Sequence, residues 1–161
     1  MISHKYEDYA DRLGIHILDA LTAVLLWPAV VVVALWAWRG VPTIYGATSE
    51  GLPALAFVVA MMAAGACVAE LVGRKLTWYN FPFALDDPRR ALAYPVGIDL
   101  VKLATLLLAT FSWMLSALIY VPMLKAYVFL ALAIPIAVVA LGTVRYFRYL
   151  AQLMRSGDPR R

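Results

Sequence analysis

Ionisable residues interrupt a chain that is otherwise apolar enough to sit in lipid: His16 and Asp19, Glu70 and Arg74, Asp99 and Lys102. In such surroundings a lone charge is costly, so each position either handles an ion or proton or ties helices together by pairing. His16 and Asp19 are three residues apart on one helix face, Glu70 and Arg74 form an i,i+4 pair, and Asp99 and Lys102 lie one turn apart. The favoured reading is mutual neutralisation near helix ends, where long side chains reach the interface. Coupling-ion binding by Glu70 is the sharper alternative. His4, Glu7, Asp8 and Asp11 recur at helical spacing, but a solvated helix face carries the same pattern and no metal is assigned there. Cys67 lies in an apolar run that keeps a thiol protonated, which makes it a packing residue.

No Ser/His/Asp set, glycine-rich phosphate loop, paired mid-membrane carboxylates or repeated ligand histidines occurs. The sequence therefore predicts no independent catalysis and no cofactor. It also predicts no nucleic-acid partner. The formal net charge of +4 arises from basic residues gathered at segment ends, where anionic headgroups and membrane orientation account for them.

The elements that carry these residues are membrane helices. With 64% hydrophobic and 15% charged residues and a mean hydropathy of +0.79, the chain falls outside soluble composition. The reading is one all-α transmembrane domain over 1–161, with helices over about 15–38, 52–72, 96–120 and 124–149 arranged as two hairpins. Residues 1–13 read as an amphipathic helix with Tyr6, Tyr9 and Leu13 on one side and Asp8 paired to Arg12, retained in the mature protein because no cleavage site follows. Trp36 and Trp38 mark the far interface of the first span. Lys and Arg fall mainly in the N-terminal arm, the central loop and the C-terminal region, with Arg39 and Lys125 alone on the other side. Both termini are thus expected in the cytoplasm.

The central stretch 74–95 is expected to lie along the membrane surface, flanked by Arg74, Lys75, Arg89 and Arg90 and carrying Trp78, Tyr79, Phe81 and Phe83 as headgroup-level rings. Asp87 and Pro88 signal a helix start and Pro95 a break, which predicts a short interfacial helix over roughly 88–94.

Two faces are suited to packing. Gly65, Ala69 and Gly73 recur every four residues on the second span, with Ala60 and Ala64 offset by one. On the third, Asp99, Lys102, Thr105, Ala109, Ser112, Ser116 and Tyr120 form one polar and small stripe. Packing against protein is the favoured reading of that stripe, and a solvated path is the alternative. Such surfaces suit a subunit whose partner is a larger polytopic membrane protein.

The layout resembles the small membrane subunit (DctQ type) of tripartite ATP-independent periplasmic (TRAP) transporters. Arg39 at the end of the first span, Glu50 before the second, Gly65 within it and Pro135 in the last stand in the order that family shows. Two signatures depart from it. Ser49-Glu50-Gly51 replaces the family's aromatic and double acidic residues, and Gly73-Arg74-Lys75-Leu76 lacks its His-hydrophobic-x-Asp pattern. The resemblance implies a non-catalytic scaffold in the bacterial inner membrane, bracing a large subunit that moves an organic acid with sodium. Accessory subunits of membrane oxidoreductases or monooxygenases, and self-associating holin-like proteins, share the same packing features.

Overall fold

The computed structural model describes residues 5–39, 52–120 and 125–156. Among them the chain is helical: α1 (Tyr6–Ala10), α2 (Leu13–Arg39), α3 (Leu52–Gly73), a 3-10 turn (Leu76–Trp78), α4 (Pro88–Tyr120) and α5 (Lys125–Arg155). The helices α2 to α5 are each long and apolar enough to cross a membrane. Their order and number agree with the sequence reading, and α4 and α5 extend further than expected.

The extension of α4 overturns the expected break at Pro95. Asp87 accepts the Arg89 amide on Oδ1 at 2.8 Å and Pro88 takes the first helical position, so the helix starts where the signals put it. It then runs through Pro95 without stopping. A proline in a helix removes one donor, a loss that the packing on both sides of this residue offsets: Ala93, Tyr94 and Ile98 are buried.

The helix α4 is the axis of the bundle, in contact with α1, α2, α3 and α5. Among its buried positions, Arg90, Tyr94, Ile98, Lys102, Thr105, Ala109, Ser112 and Ser116 recur every three or four residues and form one stripe, with Ala93 and Gly97 beside it. Ser112 donates to the Val59 carbonyl of α3 at 3.2 Å, whereas Ser116 and Thr105 bond back to carbonyls of their own helix. Opposite this stripe, α2 presents Ile15, Thr22, Leu26, Ala29 and Trp36. By contrast α5 is a one-sided packer: Leu132, Leu150 and Leu153 face in, and Leu130, Ile134, Leu141 and Phe147 face out.

Trp36 is buried against Val59 and its neighbours, leaving Trp38 as the exposed ring. The most deeply buried face of α3 is Val59, Ala63, Ala66 and Gly73, so the four-residue run through Gly65 and Ala69 lies beside the seam and Ala64 points outward. Gly65 still touches Leu108, and a Cβ on Gly73 would come within 2.5 Å of Val101 Cγ1. The small-residue face is therefore used inside the chain, where it lets α3 approach α4.

That close approach makes a direct test. Gly73→Ala is expected to cost about 1–3 kcal/mol through overpacking and to lower the unfolding temperature in detergent, whereas Ala64→Leu on the outward face should leave it unchanged.

Candidate functional site: a buried lysine hub under a folded loop

At one end of the bundle the start of α2, the end of α3 and the middle of α4 meet at Lys102. Its side chain is only 3% exposed, and its ammonium lies 2.7 and 2.8 Å from the two Glu70 oxygens and 2.5 Å from Asp19 Oδ1. Glu70 also accepts from Arg74 Nε and Nη2, at 3.0 and 2.9 Å. Two carboxylates and two cations thus form a formally neutral cluster that links three helices. One ammonium has three protons to donate and here finds three carboxylate oxygens, which satisfies a donor that is itself almost fully buried.

The arm α1 covers this hub. Tyr6 places its ring 5.9 Å from the Lys102 ammonium, and burial pushes its hydroxyl pKa up, with the nearby positive charge opposing. The arm is held by Arg12, which follows it: its guanidinium donates to both Asp99 oxygens, at 2.8 and 3.2 Å, to the Pro95 carbonyl at 3.0 Å and back to the Tyr9 carbonyl at 3.0 Å. These bonds turn the chain at residues 11–12, so the expected helix over 1–13 is confined to Tyr6–Ala10 in the described residues. Leu13 then opens α2 exposed, in place of joining the face of Tyr6 and Tyr9.

Beneath the hub the loop after α3 folds into a small core. Arg90, buried, donates to the Tyr79 carbonyl at 2.7 Å, the Phe83 carbonyl at 3.2 Å and the Tyr94 hydroxyl at 2.9 Å, with the rings of Phe81 and Tyr94 beside its guanidinium. Phe81 and Phe83 are buried and Tyr79 is half-buried, while Trp78 is exposed with Lys75 over its ring at 4.5 Å. Only Trp78 is free to act as a headgroup-level ring. The others turn inward because an arginine fixed on α4 gathers the loop carbonyls around itself and carries the rings with them. The Tyr79 hydroxyl donates to the Gly73 carbonyl at 2.7 Å, capping the end of α3, and burial drives its pKa well above the ordinary tyrosine value.

The candidate residues are thus re-paired. Glu70 and Arg74 form the pair the spacing indicated. Asp19 bonds Lys102, and His16 lies 3.3 Å from Asp11 in an exposed position. Asp99 bonds Arg12, and Lys102 turns to the other two helices. Lys102 and Asp99 lie only about 60° apart around α4, and they part because each meets an oppositely charged head from outside the helix: Arg12 reaches Asp99, and Asp19 and Glu70 reach Lys102. Thr105, Ala109, Ser112 and Ser116 lie further along the same stripe as Lys102. Arg39 ends α2 exposed, with its guanidinium over Trp38, Pro135 lies within α5, and Glu50 is outside the described residues. Sequence reasoning missed Arg12, Tyr79 and Arg90 as organising groups. Only the basic residue in the arm was a usable signal, and its partner is distant in the chain.

Among the described residues no group of three His, Cys, Asp or Glu side chains converges on a point. What this arrangement does chemically is hold: it locks the register of three helices by charge and clamps an amphipathic arm over the lock. Comparison with protein-family models, with curated proteins and with solved structures returns no match to this chain.

Removing Lys102 leaves Asp19 without a cation and Glu70 with Arg74 alone. Lys102→Met is expected to destabilise the protein by about 3–5 kcal/mol in detergent unfolding, and the triple change Asp19→Asn, Glu70→Gln, Lys102→Met should recover most of that loss. For Tyr79, the raised folded-state pKa means that its contribution is complete below the ordinary tyrosine value of about 10 and declines as pH rises beyond it. Tyr79→Phe should cost about 0.5–1.5 kcal/mol at neutral pH, and the gap from wild type should narrow above pH ~10.

Proposed function

We propose that this chain is a non-catalytic small membrane subunit that braces a larger polytopic partner, and that the partner is the large subunit of a sodium-coupled organic-acid transporter. The observation that carries the reading is the inward closure of the polar stripe on α4. Lys102 is paired within the chain, and the hydroxyls of Thr105, Ser112 and Ser116 bond carbonyls of α3 and α4. A transport pathway would leave such groups open to a moving ion, whereas a brace uses them to stay rigid. Along the spans, much of what is turned outward is apolar: Val24, Trp27 and Val31 on α2, and Leu130, Ile134 and Val138 on α5.

In this reading the helices form two hairpins in the bacterial inner membrane, and both termini lie in the cytoplasm with the loop between α3 and α4. The packing of Ala10, Ile15, Phe81, Phe83, Leu150 and Leu153 in one cluster supports it, because that cluster brings the arm, the loop and the end of α5 to the same end of the bundle. The concentration of Lys and Arg at that end argues for the cytoplasmic side. The first turns of α4 then run at the membrane surface before the helix enters the core.

The test is gentle extraction of a C-terminally tagged chain from its native membrane followed by intact-complex mass spectrometry. A stoichiometric polytopic transport subunit is the expected companion. A haem- or metal-bearing partner would move the assignment to an oxidoreductase accessory subunit, and recovery as a homo-oligomer alone would replace the brace with a self-assembling membrane protein.

A further inference from the structure

Between the first turns of α4 and the last turns of α5 lies a cleft of about 700 Å³, open to the surroundings and within the range of small-molecule sites. Its α5 wall changes character along the helix. Leu141 and Val144 come first, Arg145 and Arg148 next, and Gln152 last, all on one face. From Leu141 to Gln152 the helix rises roughly 16 Å. Leu92 and Val96 of α4 face them, and the Tyr149 hydroxyl donates to the Leu92 carbonyl at 3.3 Å, joining the two walls.

Two arginines one turn apart give the cleft a local positive charge. Arg12, Arg74 and Arg89 each have a carboxylate partner. Arg145 and Arg148 have none among the described residues, and no Asp or Glu lines the cleft. Two guanidiniums one turn apart, with a side-chain amide a turn beyond, are suited to a phosphodiester, which Arg binds with directed hydrogen bonds. The apolar half of the cleft, on the side toward the membrane core, has the character of an acyl-chain path.

We infer that this cleft holds one anionic glycerophospholipid, with its phosphate between Arg145 and Arg148 and an acyl chain along Leu141, Val144 and Val96. A free phosphate would leave the apolar half empty, and a zwitterionic lipid would bring a cation up to two arginines. The inference does not depend on which partner the subunit braces.

The test uses the full chain, purified in mild detergent and exposed to phosphatidylglycerol and phosphatidylcholine of matched chain length, with bound lipid counted by native mass spectrometry. One phosphatidylglycerol should be retained in preference by about tenfold, and Arg145→Gln with Arg148→Gln should lower that retention by a similar factor. Arg155→Gln, on the same helix outside the cleft, should leave retention unchanged. Val144→Trp, which fills the apolar half without altering charge, should also displace the lipid. Equal retention of phosphatidylcholine, an equal loss in Arg155→Gln, or full retention in Val144→Trp would each overturn the assignment. So would displacement by glycerophosphoglycerol, which has the headgroup and no acyl chains, because the occupant would then be a phosphate ester alone. A photoreactive residue at position 144 that captures a protein in native membranes in place of lipid would give the cleft to a partner.

Discussion

The ammonium of Lys102 has to be satisfied in a place where water does not reach, and that requirement sets the geometry around it. A charge moved out of water loses several kcal/mol of solvation, recovered only when oppositely charged oxygens meet it at hydrogen-bond distance. Asp19 comes from near the start of α2 and Glu70 from near the end of α3. Both can meet Lys102 only if the three helices stand at one relative height, so the register of the bundle is fixed by charge. Hydrophobic contact alone would allow sliding, because lipid solvates an apolar helix as well as another helix does. The smaller contacts then fall into place: Gly73 against Val101, Gly65 against Leu108 and Ser112 on Val59.

A second arginine-centred assembly sits below the hub. Arg90 organises the loop through main-chain carbonyls, so it gathers the chain without needing an acidic partner. Tyr79 then caps α3 from the same loop, and Gly97 gives its ring room, since a Cβ there would come within 2.9 Å of Tyr79 Cδ1. This end of the bundle is therefore built as a folded unit. Its aromatic rings serve as core more than as anchors.

The four long helices were legible in the sequence because length and hydropathy are local properties, and the Asp87-Pro88 start of α4 was legible because a cap is local too. The pairing of charges was legible only for Glu70 with Arg74. Near neighbours in sequence suggested Asp8 with Arg12, Asp99 with Lys102 and His16 with Asp19. In a bundle, neighbouring helices bring oxygens as close to a side-chain head as those of its own helix, and Arg12 finds Asp99 while Lys102 finds Asp19 and Glu70. Aromatic rings near a span end read as interfacial for the same reason: composition reports that Phe81 and Trp36 are near the membrane boundary, not whether a folded loop or a neighbouring helix covers them. The inward closure of the α4 stripe lay between these cases. Its periodicity was visible, and its bonding was settled by the neighbours.

The wide separation of the hub's members along the chain bears on how the protein is made. Asp19 leaves the ribosome in the first long helix, and Lys102 follows about 80 residues later, which at cellular rates of synthesis is an interval of about 4 to 16 s. Throughout that time the first carboxylate has no ammonium to meet, and Glu70 joins it with only Arg74 nearby. Until α4 arrives, α2 and α3 lack the charge contact that fixes their relative height. Assembly of the bundle is in that sense a joint event, completed by the third long helix.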